Sequence, residues 1–308
     1  MQSETRSAFN GSAVGRWISG PPVTVEPMTV AAYAAATGET DRRFTDGEIA
    51  PLMFGVVPSW QLAADASRAA VPADLFPRGV HGEHVIAGAR PLQAGEILSS
   101  RAAPVSIQPV RSGTLVVVRV ETRDADGRLV VLQHSSGLFL GAPASQAYGQ
   151  PRRAANGAVA AAGANGAGET SADLFVPLGR PADYAWASGD RSAIHLDEDA
   201  ARAIGLPGVI LHGMCSLAMA GQALVQTFAG GDGTQLRKLA CRFSSPVLPG
   251  TTMTVIGWPS PAAGRASRTV KRRLVSSASF RALDDRATSV ITHGSAECGP
   301  ASDELEDE

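Results

Sequence analysis

The hydrophobic and polar positions divide the chain into two halves that share one order of predicted elements. Each half begins with a short strand, continues with a short helix that ends at a glycine, and then contains a long apolar helix and a final series of strands. The second long helix is apolar on nearly all sides, which is typical of a helix enclosed by a sheet. The pattern predicts long helices at about 52–70 and 213–229, and strands at about 23–26, 82–90, 96–107, 113–124, 128–140, 174–178, 236–245, 251–258, 267–276 and 286–297.

Two short motifs occur in the same order in both halves. The segment 33–39 matches 184–190, and 90–95 matches 245–250 at nearly the same offset. Two ordered matches indicate a duplicated domain. Because a long helix wrapped by an antiparallel sheet is the hotdog arrangement, the sequence predicts an α+β double hotdog, with two hotdog domains that each wrap a sheet around a long central helix.

A segment without hydrophobic periodicity separates the halves. Residues 143–172 are mostly Ala, Gly, Asn, Ser and Gln, with too few large apolar groups to offset the entropy of ordering. We therefore predict an N-terminal hotdog domain at 1–142, a flexible linker at 143–172 and a C-terminal hotdog domain at 173–300. Residues 301–308 form an acidic tail, and we expect its last six residues to be disordered.

Composition narrows the classes of partner and compartment. The chain has 308 residues, 44% of them hydrophobic, and a formal net charge of −2. This charge argues against a nucleic-acid partner, because phosphates require a basic face. Apolar runs fall short of the ~18–20 residues of a membrane helix, so we expect no membrane insertion. Three widely spaced cysteines and an N-terminus unlike a signal peptide favour the cytoplasm.

Candidate chemistry is concentrated between residues 184 and 213. Asp190 and His195 are close in sequence, and Gly213 begins the second long helix. A carboxylate beside an imidazole can transfer protons near neutral pH, and a bare amide at a helix start can stabilise charge on a carbonyl oxygen. These groups can add water to a polarised carbon–carbon double bond. The alternative is that Asp190 only caps a helix, that His195 is an ordinary surface residue and that Gly213 simply begins a helix.

The N-terminal half lacks one of these groups. By the offset of the repeated motif, Glu39 corresponds to Asp190 and Phe44 to His195. Without the imidazole this half cannot repeat the same chemistry. We expect it to serve instead as a binding wall for a bulky acyl chain.

The His81-Gly-Glu83-His84 segment has residue types that can bind metals. Its spacing matches no common ligand set, and the entry to a strand is the simpler interpretation. Glu83 remains a candidate for structure or substrate contact. His212, just before Gly213, is either a substrate contact or a half-buried polar residue.

With these residues identified, the chain resembles the MaoC-like, (R)-specific enoyl-CoA hydratase 2 family in its two-domain form. The resemblance extends over nearly the whole chain in several ordered motifs. These are Val80-His-Gly-Glu83 followed by 90–95, residues 136–141, the Ser188-Gly-Asp190…His195 block, and the segments 207–215 and 239–250.

The resemblance implies a double hotdog whose C-terminal half carries an Asp–His dyad and whose N-terminal half accommodates the acyl chain. It implies reversible hydration of a trans-2-enoyl thioester to a (3R)-hydroxyacyl thioester, usually on coenzyme A, without a metal or any cofactor beyond the coenzyme A of the substrate. Asp190 and His195 would hold and activate water, and the Gly213 amide would hold the thioester oxygen. The resemblance also suggests a homodimer in fatty acid metabolism.

One departure concerns the loop that carries the dyad. The family usually has Gly-Asp-x-Asn-Pro-[Leu/Ile]-His, whereas this chain has Ser192 and Ala193 in place of Asn and Pro. A serine hydroxyl can still donate and accept a hydrogen bond, but the loss of Pro frees the loop. We therefore count Ser188 and Ser192 with Glu83 and His212 as candidate substrate-binding residues.

Other functions remain open at this point. A dehydratase or isomerase of the same fold could act on a polyketide-like thioester carried by coenzyme A or an acyl-carrier protein. A non-catalytic acyl-thioester-binding partner subunit is a further alternative, favoured by Ser192 and Ala193 and disfavoured by the retained Asp190, His195 and Gly213. Acyl length and the direction of the reaction are not indicated by the sequence.

Overall fold

The strands of the protein build one large antiparallel sheet and a small separate ribbon. The structure is a computed structural model that describes residues 8–76, 79–151, 168–260 and 276–305. Within these residues the strands are β1 (Ile18–Ser19), β2 (Val23–Thr24), β3 (Ile49–Ala50), β4 (Gly79–Gly88), β5 (Leu92–Gln93), β6 (Ile97–Val110), β7 (Gly113–Arg123), β8 (Leu129–Leu140), β9 (Tyr148–Gly149), β10 (Thr170–Phe175), β11 (Leu236–Phe243), β12 (Thr252–Pro259), β13 (Ser276–Leu283) and β14 (Ser289–Cys298).

The large sheet runs without interruption through both halves. Its strand order is β1-β6-β7-β8-β4-β11-β14-β13-β12-β10, with β2 and β9 paired to β6, while β3 and β5 form the small ribbon. The halves meet where β4 pairs antiparallel with β11, from Lys238 opposite Ala87 to Arg242 opposite Glu83. This pairing places the strand that carries the His81-Gly-Glu83-His84 segment next to the C-terminal half.

The helices are distributed unequally between the halves. They are α1 (Pro27–Thr37), α2 (Arg42–Thr45), α3 (Trp60–Ala70), α4 (Arg180–Ser188), α5 (Glu198–Ala203) and α6 (Gly213–Phe228). Helix α6 is buried at every residue from Met214 to Gly221 and packs on β11, β12, β13 and β14. The predicted helix at 213–229 is therefore confirmed, as is its enclosure by the sheet.

The predicted helix at 52–70 is wrong as a single element. Leu52–Ser59 is a 3-10 helix, and only from Trp60 does the chain become α-helical. Pro58 cannot donate an amide hydrogen bond and disfavours helical geometry at the residue before it, so it separates the two pieces. The 3-10 segment provides the buried positions, whereas α3 buries only Ala66 and Ala70.

Helices α1 and α4 bring the two copies of the repeated motif together. They pack against each other, and the rings of Tyr33 and Tyr184 lie 5.6 Å apart. Each helix ends at a glycine in the left-handed conformation, Gly38 with φ 80° and Gly189 with φ 82°. The predicted short helix that ends at a glycine is thus confirmed in both halves.

Several predicted boundaries differ from the structure. Inside the predicted linker, Tyr148–Gly149 pairs with β6 and β10 begins at Thr170, while 152–167 lie outside the described residues. The predicted strand at 267–276 also lies outside them except for its last residue, and β13 follows it. The expected disorder of the tail is wrong at Leu305, which is 3% exposed and donates its amide to the Leu129 carbonyl at 2.8 Å. Residues 306–308 are outside the described range.

Candidate active site

Asp190 is presented by the turn that follows α4. Its Oδ1 accepts hydrogen bonds from the Ser192 hydroxyl at 2.6 Å and the Ser192 amide at 3.1 Å. Its own amide donates to the Ser188 hydroxyl at 3.2 Å. The side chain of Ser192 thus orients the carboxylate, and Ser188 fixes the backbone. Neither contact requires the Asn-Pro pair.

His195 ends a short 3-10 turn, Ala193–His195. Its Nδ1 lies 2.9 Å from the Ile210 carbonyl oxygen. Because a carbonyl only accepts, Nδ1 carries the proton in the neutral ring and Nε2 keeps its lone pair. Burial lowers the pKa of His195, opposed by the Asp190 carboxylate and the Ile210 carbonyl. The imidazole is therefore neutral at physiological pH and can accept a proton at Nε2.

His212 is stacked directly on His195. The two ring centroids are 3.7 Å apart with 24° between the planes, and His212 is 1% exposed. Its Nε2 lies 2.9 Å from the Asp190 carbonyl oxygen and 4.0 Å from the carboxylate Oδ2. Burial and the neighbouring His195 lower the pKa of His212 to about 4. His212 is thus a neutral donor to the Asp190 backbone.

Gly213 is the first residue of α6, and the first amides of a helix have no acceptor inside the helix. A Cβ atom at this position would lie 3.1 Å from the Phe243 ring. The absence of a side chain keeps the helix start close to Phe243 and open to a ligand oxygen. The partial positive charge of the helix N-terminus favours developing negative charge there.

Asp190, His195 and His212 form a compact group. One oxygen or nitrogen atom from each lies within 4.8 Å of the others. Such spacing suits a water that bridges a carboxylate and an imidazole. For a metal, each ring has only one nitrogen with a free lone pair, His195 Nε2 and His212 Nδ1, because the other nitrogen donates to a backbone carbonyl. The absence of a metal from the reaction stays a prediction.

His195 lines an open cavity of about 460 Å³. The cavity gives a ligand access to the imidazole from the surface. Its walls are mostly apolar, with one ion pair between Arg202 and Glu198 at 2.8 Å. Apolar walls beside a few polar groups are typical of a site for a largely hydrocarbon ligand. The other lining residues are Leu178, Pro181, Ala182, Leu196, Pro207, Gly208, Val209, Leu248 and Pro249.

The N-terminal half contributes His81 to the neighbourhood of the site. Its ring lies 4.9 Å from that of Phe243, and its Nε2 lies 3.2 Å from the Ser135 hydroxyl. Burial lowers the pKa of His81 to about 4, opposed by the charge of Asp190. The sequence alone did not place His81 or Phe243 near the dyad. The 239–250 segment that contains Phe243 and the strand entry at His81 were the available signals, but neither specified that β4 pairs with β11.

Glu83 and His84 lie further along β4 and are both buried. Glu83 is opposite Ser136 of β8 and Arg242 of β11, between the two halves. Neither ring nitrogen of His84 has a hydrogen-bond partner within the described residues. Within this segment His81 has an electrostatic interaction with Asp190, and a substrate contact of Glu83 stays a prediction.

Comparison with known proteins gives a match in each half. The model of the MaoC-like domain matches residues 174–279, and that of the FAS1-like dehydratase domain region matches residues 12–133. The peroxisomal multifunctional enzyme type 2 of Mus musculus is 27% identical over 207 residues, which make up 67% of this chain and 28% of that enzyme. The C-terminal half therefore carries a MaoC-like domain. The chain spans less than a third of the length of this curated relative.

Solved structures confirm the fold of this MaoC-like chain. A MaoC-like dehydratase from Phytophthora capsici is similar with a TM-score of 0.77 at 21% identity, over 95% of this chain and 100% of that one. A Mycobacterium tuberculosis protein with a double hotdog fold is similar with a TM-score of 0.57 at 16% identity, over 92% of this chain and 95% of that one. The predicted α+β double hotdog is confirmed.

The two halves of this MaoC-like chain differ at the histidines. Phe44 is 1% exposed and Phe54 is 2% exposed, and Phe54 precedes Gly55 as His212 precedes Gly213. Tyr33 meets the Phe54 ring at 5.6 Å, as Tyr184 meets the His212 ring at 4.8 Å. The N-terminal half therefore retains the tyrosine and the glycine but has phenylalanine where the C-terminal half has both imidazoles.

A second cavity, of about 520 Å³, lies beside Glu39 and is lined by residues of both halves. Burial raises the pKa of Glu39 to about 7, with a further increase from Asp41 and an opposing hydrogen bond from Gln222. This cavity shares no lining residue with the one at His195 among those described. Phe44 lines it where an imidazole would be needed for paired acid–base chemistry.

No described helix has the length and apolar character to span a membrane.

Proposed function

We propose that this MaoC-like protein catalyses the reversible, (R)-specific hydration of trans-2-enoyl thioesters to (3R)-hydroxyacyl thioesters. The observation that carries the proposal is the neutral His195, whose Nε2 retains a lone pair and whose ring lies in one buried group with Asp190 and His212, the residue before Gly213. His195 also lines an accessible cavity with mostly apolar walls. The family and the names of its relatives, among them hydratases and dehydratases, support the same reaction class.

The proposed mechanism adds the elements of one water molecule across the double bond. His195 Nε2 takes a proton from a water that the Asp190 carboxylate holds, and the water oxygen bonds to C3. The π electrons move towards the thioester, and the Gly213 amide stabilises the negative charge on its oxygen. The Asp190–His195 pair then returns a proton to C2. The dehydration direction reverses each step.

This reaction exchanges no electrons with an external group, so we propose that it needs no cofactor beyond the thioester carrier. Protein groups relay the proton from water to C2 and stabilise the one charge that develops. We expect turnover to be unchanged after dialysis against a metal chelator. A loss that a divalent metal restores would contradict this part of the proposal.

The test follows the absorbance of the enoyl-thioester band with crotonyl-CoA and with a longer trans-2-enoyl-CoA. We expect wild-type protein to consume the band and to form the (3R) product. Asp190→Ala and His195→Ala should each lower kcat by about a thousandfold, since general acid–base groups contribute about 10²–10⁴. Glu39→Gln is the matched control in the other half and should retain wild-type turnover.

Two results would contradict the proposal. One is full turnover in both dyad variants. The other is a folded wild-type protein that leaves every enoyl-CoA unchanged. In the second case, the same enoyl groups on pantetheine or an acyl-carrier protein would distinguish a carrier-bound substrate from a non-catalytic binding subunit.

A further inference from the structure

His212 lies between the elements that carry the proposed chemistry, and its side chain is only 1% exposed. It is the residue immediately before α6, so the next amide along the chain is that of Gly213. One side of its ring contacts Tyr184 at 4.8 Å between centroids, and it also stacks on His195 at 3.7 Å. A residue in this position can act on the reaction only through its neighbours.

The hydrogen bonds of His212 determine its protonation state. Nε2 must donate to the Asp190 carbonyl, so the neutral ring has its lone pair on Nδ1. Nδ1 is buried and has no hydrogen-bond partner within the described residues. A proton placed there would be an unsatisfied buried donor, which is unfavourable. The low pKa of about 4, due first to burial and then to His195, agrees with this geometry.

These contacts link three separate parts of the site. The Nε2 bond restrains the backbone of Asp190, the stacked face restrains the ring of His195, and the backbone continues into Gly213. The neutral state matters because a second positive charge stacked on His195 would oppose its protonation during catalysis. His212 can therefore hold the dyad and the helix amide in one geometry without competing for the proton.

The N-terminal half provides an independent observation. There, the positions that correspond to His195 and His212 are both phenylalanine, while the carboxylate Glu39, Tyr33 and Gly55 are kept. Phe44 and Phe54 are both buried, so the scaffold accepts aromatic rings at these positions without imidazoles. The two histidines are thus present together in one half and absent together from the other, as expected for residues that act as a pair.

We propose that His212 is a positioning residue, which holds the Asp190–His195 dyad and the Gly213 amide in register through its Nε2 hydrogen bond and its stacked ring. The inference rests on the proposed hydratase function for its kinetic consequences. Its structural content, a neutral His212 protonated at Nε2 and bonded to Asp190, can be tested without turnover.

The kinetic test compares His212→Phe with His212→Gln. Phe keeps a ring, as in the other half, but removes the donor, and we expect kcat to fall about thirtyfold with KM within about threefold of wild type. Gln places an amide donor at about the position of Nε2 and should recover part of kcat. His84→Phe is the matched control, because it also replaces a buried neutral histidine, whose described electrostatic neighbours are His81 and His134 and not the dyad. It should change the melting temperature with little effect on kcat.

Two kinetic outcomes would overturn the inference. Wild-type kcat in His212→Phe would show that the donor is dispensable. The second outcome concerns the pH profile of kcat/KM. If wild type shows an ionisation in this profile that is missing from His212→Phe, His212 exchanges protons and is not a positioning residue.

The spectroscopic test uses ¹⁵N-labelled histidine in the full chain. We expect the His212 signals to show a neutral ring protonated at Nε2 from pH 5 to 8. Titration of His212 within that range, or a proton on Nδ1, would overturn the inference. If wild type has no turnover but this spectrum is observed, the proposed function fails while the position of His212 stands.

Discussion

At the scale of single residues, the orientation of the Asp190 carboxylate depends on a short hydroxyl. Ser192 donates to Oδ1 through both its side chain and its amide. The family that this chain resembles usually has asparagine there, so the contact is made with a different side chain. Ala193 takes up the 3-10 turn that leads to His195, and the turn itself supplies the order that proline would have given.

We predict that Ser192→Ala lowers kcat about tenfold. The change removes the 2.6 Å hydrogen bond to the carboxylate, and a tenfold effect corresponds to about 1.4 kcal/mol. Ser192→Thr keeps the hydroxyl and should stay close to wild type in the enoyl-thioester assay. Equal activity of the Ala and Thr variants would show that the side-chain contact has no role in orientation.

Gly213 gives a second prediction at this scale. Its position does not require a positive φ, but a Cβ atom would lie 3.1 Å from Phe243, so Gly213→Ala must displace the ring or the helix start. We expect kcat to fall about tenfold or more, as for a displaced oxyanion donor. The double variant with Phe243→Leu should recover part of this loss. No recovery would indicate that crowding by Phe243 is not the cause.

At the scale of elements, α1 and α4 form the contact that holds the two repeated motifs together. Arg180 at the start of α4 donates from Nη1 to the carbonyls of Ala35 and Ala36 at 3.0 and 2.8 Å. These carbonyls lie in the last turn of α1, where few backbone amides are available, and the Ala35 carbonyl also accepts from the Gly38 amide at 3.1 Å. The positive charge of Arg180 also interacts favourably with the negative end of the helix dipole of α1.

We predict that Arg180→Met lowers the free energy of unfolding by about 1–2 kcal/mol. The methionine keeps much of the apolar volume but leaves the two carbonyls of α1 without their charged donor. Arg42→Met is the control, because the Arg42 side chain is 89% exposed and its ion pair should contribute little. Urea denaturation of both variants at one pH provides the measurement. Equal midpoints would contradict the assignment of Arg180 as a cap.

At the scale of the whole molecule, one sheet passes through both halves, with its junction between β4 and β11. Hydrophobic residues of both halves contribute to one core, which includes Tyr33, Phe54, Tyr184 and Leu217. The junction also buries His84, and the neighbouring His81 packs on Phe243 from the C-terminal half. Neutral histidines are therefore part of the contact between the halves.

We predict that these buried histidines make the fold sensitive to acid. Burial lowers the pKa of His81 to about 4 and that of His84 well below its ordinary value of 6.5. The unfolded chain therefore binds more protons below pH 6.5, so stability is complete above that pH and is lost as pH falls towards 4. Each group can contribute up to about 1.4 kcal/mol per pH unit in this window.

The measurement is the urea midpoint at pH 7.5, 6 and 5. We expect it to fall below pH 6.5 in wild type and to fall less steeply in His84→Phe, which cannot be protonated at that position. Parallel slopes in the two proteins would show that His84 does not contribute to acid sensitivity.

Local pattern was sufficient for a large part of the site. Local hydrogen bonds and apolar periodicity end two helices at Gly38 and Gly189 and begin another at Gly213. They also place Asp190 and His195 five residues apart in the turn after the second of these helices. Such interactions are encoded in the adjacent sequence. The internal repeat likewise predicted that Phe44 occupies the position of an imidazole.

Only the tertiary structure decided the remaining features. The tautomer of His195 depends on the Ile210 carbonyl, and that of His212 on the Asp190 carbonyl, because each ring meets an acceptor brought by folding. The approach of His81 depends on which strands pair at the junction, and the order at Leu305 depends on a contact with Leu129. The sequence by itself determined which chemical groups are present and their local conformation. Their protonation and mutual distances were decided by long-range contacts, which no local pattern specifies.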